Sequence, residues 1–416
     1  MRKFIKPLLL CFVILGVGLA AIFFFRMHIN QETGEKVYMK PAVRDKDAEE
    51  KLNELVGSKL KELTLDQKIA QLLIVEAPSL TIDEKLTNQM QTAPYGGFIL
   101  MGNAFGTLEE TRKFIQDLRD LNSIPLIIST DHEGGTVQRP RKITSPQATN
   151  FPLAAVLGDI DSTSLAMDVG AAMGRELSAI GINVDYAPVL DVNSNPKNPV
   201  ISRRSFSSDP RKVAEIGKAF AEGLEKSCVT PVFKHFPGHG DTSVDSHVNL
   251  PIVNKTREEL DAIELVPFKD VINNGAEIIM VAHIALPEIT GNNTPATMSY
   301  KITTELLRDE LGYKGLIITD GVNMGALAKN YPEADIYYRV IEAGADLVLL
   351  PSNPDLAIAS IKEHIPEERI NESVRRILYY KYGSMQSWKL LDASNFASAE
   401  NQAVIERVNS QASSTK

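Results

Sequence analysis

Eight short apolar runs recur between residues 72 and 350, and stretches with helical spacing separate them. The runs cover residues 72–75, 97–100, 126–130, 182–188, 231–236, 277–284, 316–319 and 346–350. Most are continuously apolar, as expected of parallel strands buried on both faces, rather than alternating like a half-exposed sheet. Helical periodicity occupies 108–121, 164–179, 212–225, 258–273 and 303–311. Eight strand–helix units within 416 residues predict an α/β fold, a (β/α)8 TIM-like barrel in a single domain. A doubly wound open sheet is the alternative, because periodicity does not report closure.

Ahead of the first run, Leu52, Leu55, Val56, Leu60 and Leu63 recur at helical spacing and predict a helix over 48–63. Thr64 with Gln67 three places on is a capping box for the helix that follows. At 44% hydrophobic the chain can bury a large core, and a net charge of -9 argues against a nucleic-acid partner. The two cysteines, at 11 and 228, do not predict a disulfide, since Cys11 lies in an apolar N-terminal run.

That run, 7–25, is uncharged and follows Arg2, Lys3 and Lys6. Its roughly 19 residues would span about 28 Å as a helix, close to the ~30 Å of a bilayer core. The basic flank places the N-terminus inside and the rest of the chain outside the cytoplasmic membrane. The expectation is an uncleaved signal anchor in the cell membrane, because no small-x-small cleavage site ends the run; secretion after signal cleavage is the alternative. The expected organisation is an anchor over 1–26, a stalk and lead-in helix over 27–63, the barrel over 64–385 and a polar C-terminal tail over 386–416.

In such a barrel the site lies at the C-terminal ends of the strands. Polar groups collect there. The third run leads into Asp131 and Arg139, the fourth into Asp191 and Arg204, the fifth into Lys234 and His235, the sixth into His283 and the seventh into Asp320 and Met324. The densest stretch is 234–247, Lys-His-Phe-Pro-Gly-His-Gly-Asp-Thr-Ser-Val-Asp-Ser-His, which holds three of the seven histidines. A solvated loop and a zinc site built from His235, His239 and His247 are possible readings, but Pro237, Gly238 and Gly240 break the helix that zinc spacing would need. A third reading is a mobile glycine loop that delivers Asp245 and His247 as a pair, the carboxylate orienting an imidazole that acts as acid and base.

Asp320 follows a strand and precedes Gly321, which leaves room for a nucleophile to meet a bulky centre. Its bland reading is a helix cap. With His247 as proton donor, the pair suits glycosidic cleavage with retention, the histidine standing where a second carboxyl group is usual.

The 234–247 stretch, Asp131 to Arg139 (DHEGGTVQR), Arg204-Ser205-Phe206 and Ile318-Thr319-Asp320 with Asn323-Met324 together resemble glycoside hydrolase family 3, in its β-N-acetylglucosaminidase branch. The resemblance covers roughly 64–385. It implies a TIM-like barrel and hydrolysis of terminal β-linked N-acetylglucosamine from peptidoglycan fragments or chitooligosaccharide-type glycans. It implies Asp320 as nucleophile, His247 as acid/base with Asp245, and Asp131, Arg139, Arg204, Lys234 and His235 as holders of the sugar; His283 and Met324 are further candidates. No organic cofactor is indicated, because the Gly-rich stretches lack the dinucleotide pattern of strand, GxGxxG and helix, and no metal is expected. The chain departs from the family pattern at His132, Thr136 and Arg203, none of them assigned to catalysis. Many relatives carry a domain after the barrel, for which the roughly 30 residues beyond 385 leave no room. A neighbouring pair of carboxyl groups for substrate assistance is missing after Asp320. The alternatives are a catalytically silent glycan-binding protein, a zinc-dependent hydrolase using the histidine cluster, and a phosphorylase.

Overall fold

The structure, a computed structural model, describes residues 27–29, 36–38, 46–242, 245–246 and 248–414. The expected anchor over 1–26 lies outside them. Among the described residues no helix is long and apolar enough to cross a membrane. The chain divides into two compact units, 1–55 and 56–416. In the first, Met27–Ile29 pairs antiparallel with Lys36–Tyr38. The lead-in helix runs Lys46–Glu62 across the division. Thr64 then caps the next helix with both bonds of the expected box in place.

The second unit contains eight parallel strands: β1 Leu73–Glu76, β2 Gly97–Ile99, β3 Ile127–Thr130, β4 Val184–Asp185, β5 Thr230–Phe236, β6 Ile278–Val281, β7 Leu316–Thr319 and β8 Val348–Leu349. Their ladder runs β7-β6-β5-β4-β3-β2-β1-β8. Its ends meet where Ile318 bridges Leu347, with Thr319 N–H donating to Leu347 O at 3.0 Å. The sheet therefore closes into a (β/α)8 barrel, and the open-sheet alternative falls. All eight expected strands are present. Helices follow them in turn: α1 Glu84–Thr92, α2 Leu108–Asp120, α3 Thr163–Ile180, α4 Pro210–Lys226, α5 Leu265–Asn273, α6 Lys301–Glu310 with π-type bonding, α7 Glu333–Ala343 and α8 Pro354–His364. β3, β6 and β7 are buried at every position, which is why their runs read as continuous.

Two expectations need correction. The helix expected over 258–273 is two helices, Arg257–Ala262 and α5, broken at Ile263. Pro267 has no N–H for the Ile263 carbonyl, so the helix restarts with the proline in its first turn, where that donor is not needed. The polar segment expected as a tail from 386 is folded through residue 414, the last one described. Its helix α10, Ala399–Ser414, lies along α3, with Arg407 on Asp168 at 2.7 Å and Val404 and Val408 buried. Helix α9, Glu367–Tyr382, precedes it.

The N-terminal face of the barrel buries two charges in different ways. Asp346 accepts from Ser373 Oγ at 2.7 Å, Ile317 N–H at 3.0 Å and Arg376 at 3.0 Å, and also pairs with Arg308. Lys381, fully buried on α9, has among the described residues the Gln71 side-chain oxygen as its one side-chain partner, at 2.8 Å. Burial with no carboxylate partner pushes its pKa down to about 7. The folded chain therefore releases this proton near pH 7, while the unfolded chain holds it until about pH 10.4. Within that window the unfolded state binds more protons, so stability rises with pH. Urea midpoints measured from pH 7 to 10 are expected to climb, and Lys381→Met is expected to flatten the climb. An equal slope in the variant removes the assignment.

Candidate active site

The C-terminal ends of β3 to β7 meet in one polar cluster. Residues 131–133 continue β3 in extended form, so Asp131 and Glu133, two apart, project from the same side. Lys234, buried on β5, reaches both: its Nζ lies 3.2 Å from Asp131 Oδ1 and 2.6 Å from Glu133 Oε1. Arg204, from the loop after β4, grips Glu133 through both carboxylate oxygens, at 2.7 and 2.8 Å. Arg139 stands 3.8 Å from Asp131 Oδ2. Burial alone would raise the Glu133 pKa, but Arg204 and Lys234 hold it far below the usual carboxylate range. The same bonds keep Lys234 and Arg204 charged despite their burial.

A second buried carboxylate fixes the start of the histidine-rich loop. Asp191 accepts the Nδ1 of His235 at 2.6 Å and the His239 N–H at 2.6 Å. Because Asp191 accepts, Nδ1 carries the His235 proton and Nε2 is the nitrogen left to meet a ligand. Burial, the largest single influence, raises the Asp191 pKa, but His235 and His239 together outweigh it and the group is held low.

The glycines of this loop serve close packing, not the mobility expected of them. A Cβ on Gly240 would lie 1.7 Å from Val192 O, and Gly238, at φ +130°, would meet the Glu264 side chain at 2.6 Å. Asn198 adds donors to the carbonyls of His239 and Gly240, at 2.8 and 2.9 Å. His239 is buried, and its two ring nitrogens face Thr242 Oγ1 at 2.9 Å and Ser246 Oγ at 3.0 Å. Those hydroxyls occupy the positions a metal would need, so the zinc reading loses one of its three ligands. His247 lies outside the described residues. Its neighbour Ser246 accepts the Ala326 N–H at 3.0 Å, which ties this end of the loop to the short helix Gly325–Ala328 after β7. Asp245 is half-buried beside it.

Asp320 stands half-buried at the end of β7. Its backbone N–H donates to Val281 O of β6 at 2.9 Å, and its Oδ1 accepts the Gly321 N–H at 2.8 Å. The next helix starts only at Gly325, with Met324 in the capping position, so Asp320 is not a helix cap. Burial opposes its charge, but His235 foremost, with the Gly321 N–H and Lys234, brings its pKa down to about 2. It is a carboxylate at any ordinary pH. His283, fully buried, bonds Gly321 O and Thr297 Oγ1, each at 2.9 Å. Met324 is half-exposed, and its N–H meets the Gly321 carbonyl at 3.0 Å.

The structure thus brings Asp131, Arg139, Arg204, Lys234 and His235 into one region, with Asp320 electrostatically linked to His235 and Lys234. Sequence reasoning left Glu133, Asp191 and Thr297 without roles. Glu133 had a usable signal: it lies two residues from Asp131 in an extended segment. Thr297 had none. A cavity of about 720 Å³ beside α2, lined by Thr107, Arg112, Ser145 and Leu390, shares no residue with this cluster. Chemically the cluster offers a fixed carboxylate, buried charged donors and acceptors for hydroxyl groups, and a loop end placed beside the carboxylate's own loop.

Residues 64–379 match the family model for the glycosyl hydrolase family 3 N terminal domain. A β-hexosaminidase A of Pseudoalteromonas piscicida is 38% identical over 301 residues, which are 66% of this chain and 49% of that protein. The chain thus spans about half the length of that relative. The structure of a glycoside hydrolase family 3 β-N-acetylglucosaminidase from Paenibacillus sp. str. FPU-7 superposes with a TM-score of 0.79 at 33% identity, covering 84% of this chain and 69% of that one. NagZ from Neisseria gonorrhoeae, solved with N-trifluoroacetyl-D-glucosamine, superposes with a TM-score of 0.69 at 29% identity, covering 82% of this chain and 98% of that one.

Proposed function

Since the chain belongs to glycosyl hydrolase family 3, we propose that it is a retaining exo-β-N-acetylglucosaminidase acting on peptidoglycan fragments or related glycans. The observation that carries the reading is the charge network at the mouth of the barrel, where Lys234 links Asp131 and Glu133 beside the Asp320 carboxylate.

In the first step the Asp320 carboxylate attacks the anomeric carbon of the terminal sugar. Protonated His247 gives its proton to the glycosidic oxygen, the carbon–oxygen bond breaks, and a glycosyl ester forms on Asp320. In the second step neutral His247 takes a proton from water. The water oxygen attacks the same carbon, and Asp320 leaves as a carboxylate. Double displacement preserves the β configuration. Asp245 orients the imidazole and stabilises its cation. Asp131, Lys234, Arg204, Arg139 and the Nε2 of His235 hold the hydroxyl and N-acetyl groups. Met324 borders the sugar from the β7 loop. A pKa of about 2 keeps Asp320 nucleophilic over the working range, so the limbs of the pH–rate profile belong to other groups.

The basic residues before the apolar run 7–25 support a membrane-tethered enzyme with its barrel outside the cytoplasmic membrane. Product analysis tests the activity. Purified protein incubated with peptidoglycan fragments and, separately, with chitooligosaccharides is expected to release N-acetylglucosamine from the non-reducing end in buffer free of phosphate. Sugar 1-phosphate formed only with phosphate would make it a phosphorylase. Binding without turnover would make it a lectin-like protein, and loss of activity with a chelator would return the zinc hydrolase.

A further inference from the structure

We propose that His283 and Thr297 form a clamp that aims the Asp320 carboxylate, making both of them positioning residues for the nucleophile. The inference rests on the reading of Asp320 given above.

The clamp acts through the peptide groups on either side of Gly321. The Gly321 N–H donates to Asp320 Oδ1 at 2.8 Å, so one carboxylate oxygen is occupied and the other is left to attack. The Gly321 carbonyl is held on the other side by two donors, His283 Nε2 at 2.9 Å and the Met324 N–H at 3.0 Å. A carbonyl only accepts, so Nε2 must carry the imidazole proton. In the neutral ring Nδ1 then accepts from the Thr297 hydroxyl, 2.9 Å away. A ring in the other tautomer would set two acceptors against each other. The Gly321 carbonyl therefore selects the tautomer, and the Thr297 hydroxyl, donating to Nδ1, fixes the ring orientation.

Both clamp residues are buried, His283 wholly and Thr297 to within 1%. A broken bond there is not replaced by bulk water. His283 lies two residues beyond Val281, whose carbonyl accepts the Asp320 N–H at 2.9 Å. The end of β6 thus holds the nucleophile before and after its side chain. If the Gly321 carbonyl were released, the backbone could rotate about Gly321, its N–H would leave Oδ1 and the carboxylate would turn from its attacking position. A misplacement of about 1 Å can cost about 100-fold in rate.

The test compares Thr297→Val with Thr297→Ser, and His283→Leu with His283→Gln, on an aryl N-acetyl-β-glucosaminide. Thr297→Val and His283→Leu are expected to lower kcat by about 100-fold with KM nearly unchanged, because the sugar is held by other residues. Thr297→Ser keeps the hydroxyl and is expected to recover most of the rate. His283→Gln keeps a donor for Gly321 O and is expected to fall between. Equal rates for the Val and Ser variants, or losses confined to KM, overturn the clamp. If a His283 variant does not fold by circular dichroism, the Thr297 pair decides. Covalent trapping on the wild-type chain separates the two readings. A label on Asp320 with clamp variants at full kcat sinks the clamp alone. A label elsewhere sinks the nucleophile and the clamp with it.

Discussion

Asp320→Ala is expected to lower kcat/KM on an aryl N-acetyl-β-glucosaminide by about five orders of magnitude, the scale seen when a covalent nucleophile is removed. The fold is expected to survive. Among the described residues Asp320 has one side-chain hydrogen bond, to the N–H of its own neighbour, and it stands half-buried at the mouth rather than inside the core. KM is expected to change little, since the residues proposed to hold the sugar lie on β3, β5 and the loop after β4. Azide added to Asp320→Gly is expected to restore turnover and give the glycosyl azide of inverted configuration, because a small anion fits where the carboxylate stood. Retention of the β configuration in that product would contradict the reading. His247→Ala forms a useful contrast. It is expected to slow poor leaving groups far more than activated ones, since only the former need a proton as the bond breaks.

Glu133→Gln carries the second large effect, and it falls on binding and stability together. The carboxylate neutralises two buried cations, one through a bidentate pair. Without its charge, among the described residues, Arg204 has no other carboxylate within ion-pair distance and Lys234 keeps Asp131 at 3.2 Å. Breaking a buried pair from one side costs about 3–5 kcal/mol. A lowered urea midpoint is expected, with a KM at least tenfold higher as the freed side chains lose their aim. Asp131→Asn is expected to raise KM as well but to cost less stability, because Asp131 is more exposed and pairs more loosely. A Glu133→Gln protein with wild-type KM would show that the network does not position the sugar. The pH dependence has a definite sign. Glu133 is held well below the usual carboxylate range, so its stabilisation is complete above the unfolded-state pKa of about 4.3, declines as pH falls below that value, and is gone once strong acid protonates the folded group.

The barrel was legible because its strands are buried on both faces. Continuous runs such as 316–319 and the all-buried β6 have no helical or amphipathic reading to compete with. The stretch 258–273 misled because its apolar spacing is helical throughout, and only Pro267 marks where one helix ends and another begins. The C-terminal helix α10 was hidden by composition: few apolar side chains anchor it, while Arg407 and Asn401 make polar contacts to α3. At the site, residues carrying charge at strand ends stood out, which brought Asp131, Lys234 and Asp320 into view. Glu133 was passed over although it lies in the same motif, because a charge whose job is to balance other charges looks in sequence like any surface glutamate. The glycines of the 234–247 loop were read as freedom, whereas Gly240 is glycine because Val192 O leaves no space for a side chain.

Everything in the proposed mechanism passes through an ester between a sugar and the seventh strand. A slow fluorinated N-acetylglucosaminide that stalls after the first step, followed by proteolysis and mass spectrometry, reads that ester directly. The predicted result is one sugar mass on the peptide containing Asp320, absent from Asp320→Ala. A sugar mass on any other residue, or none while the fluorinated compound is still turned over, would contradict the account.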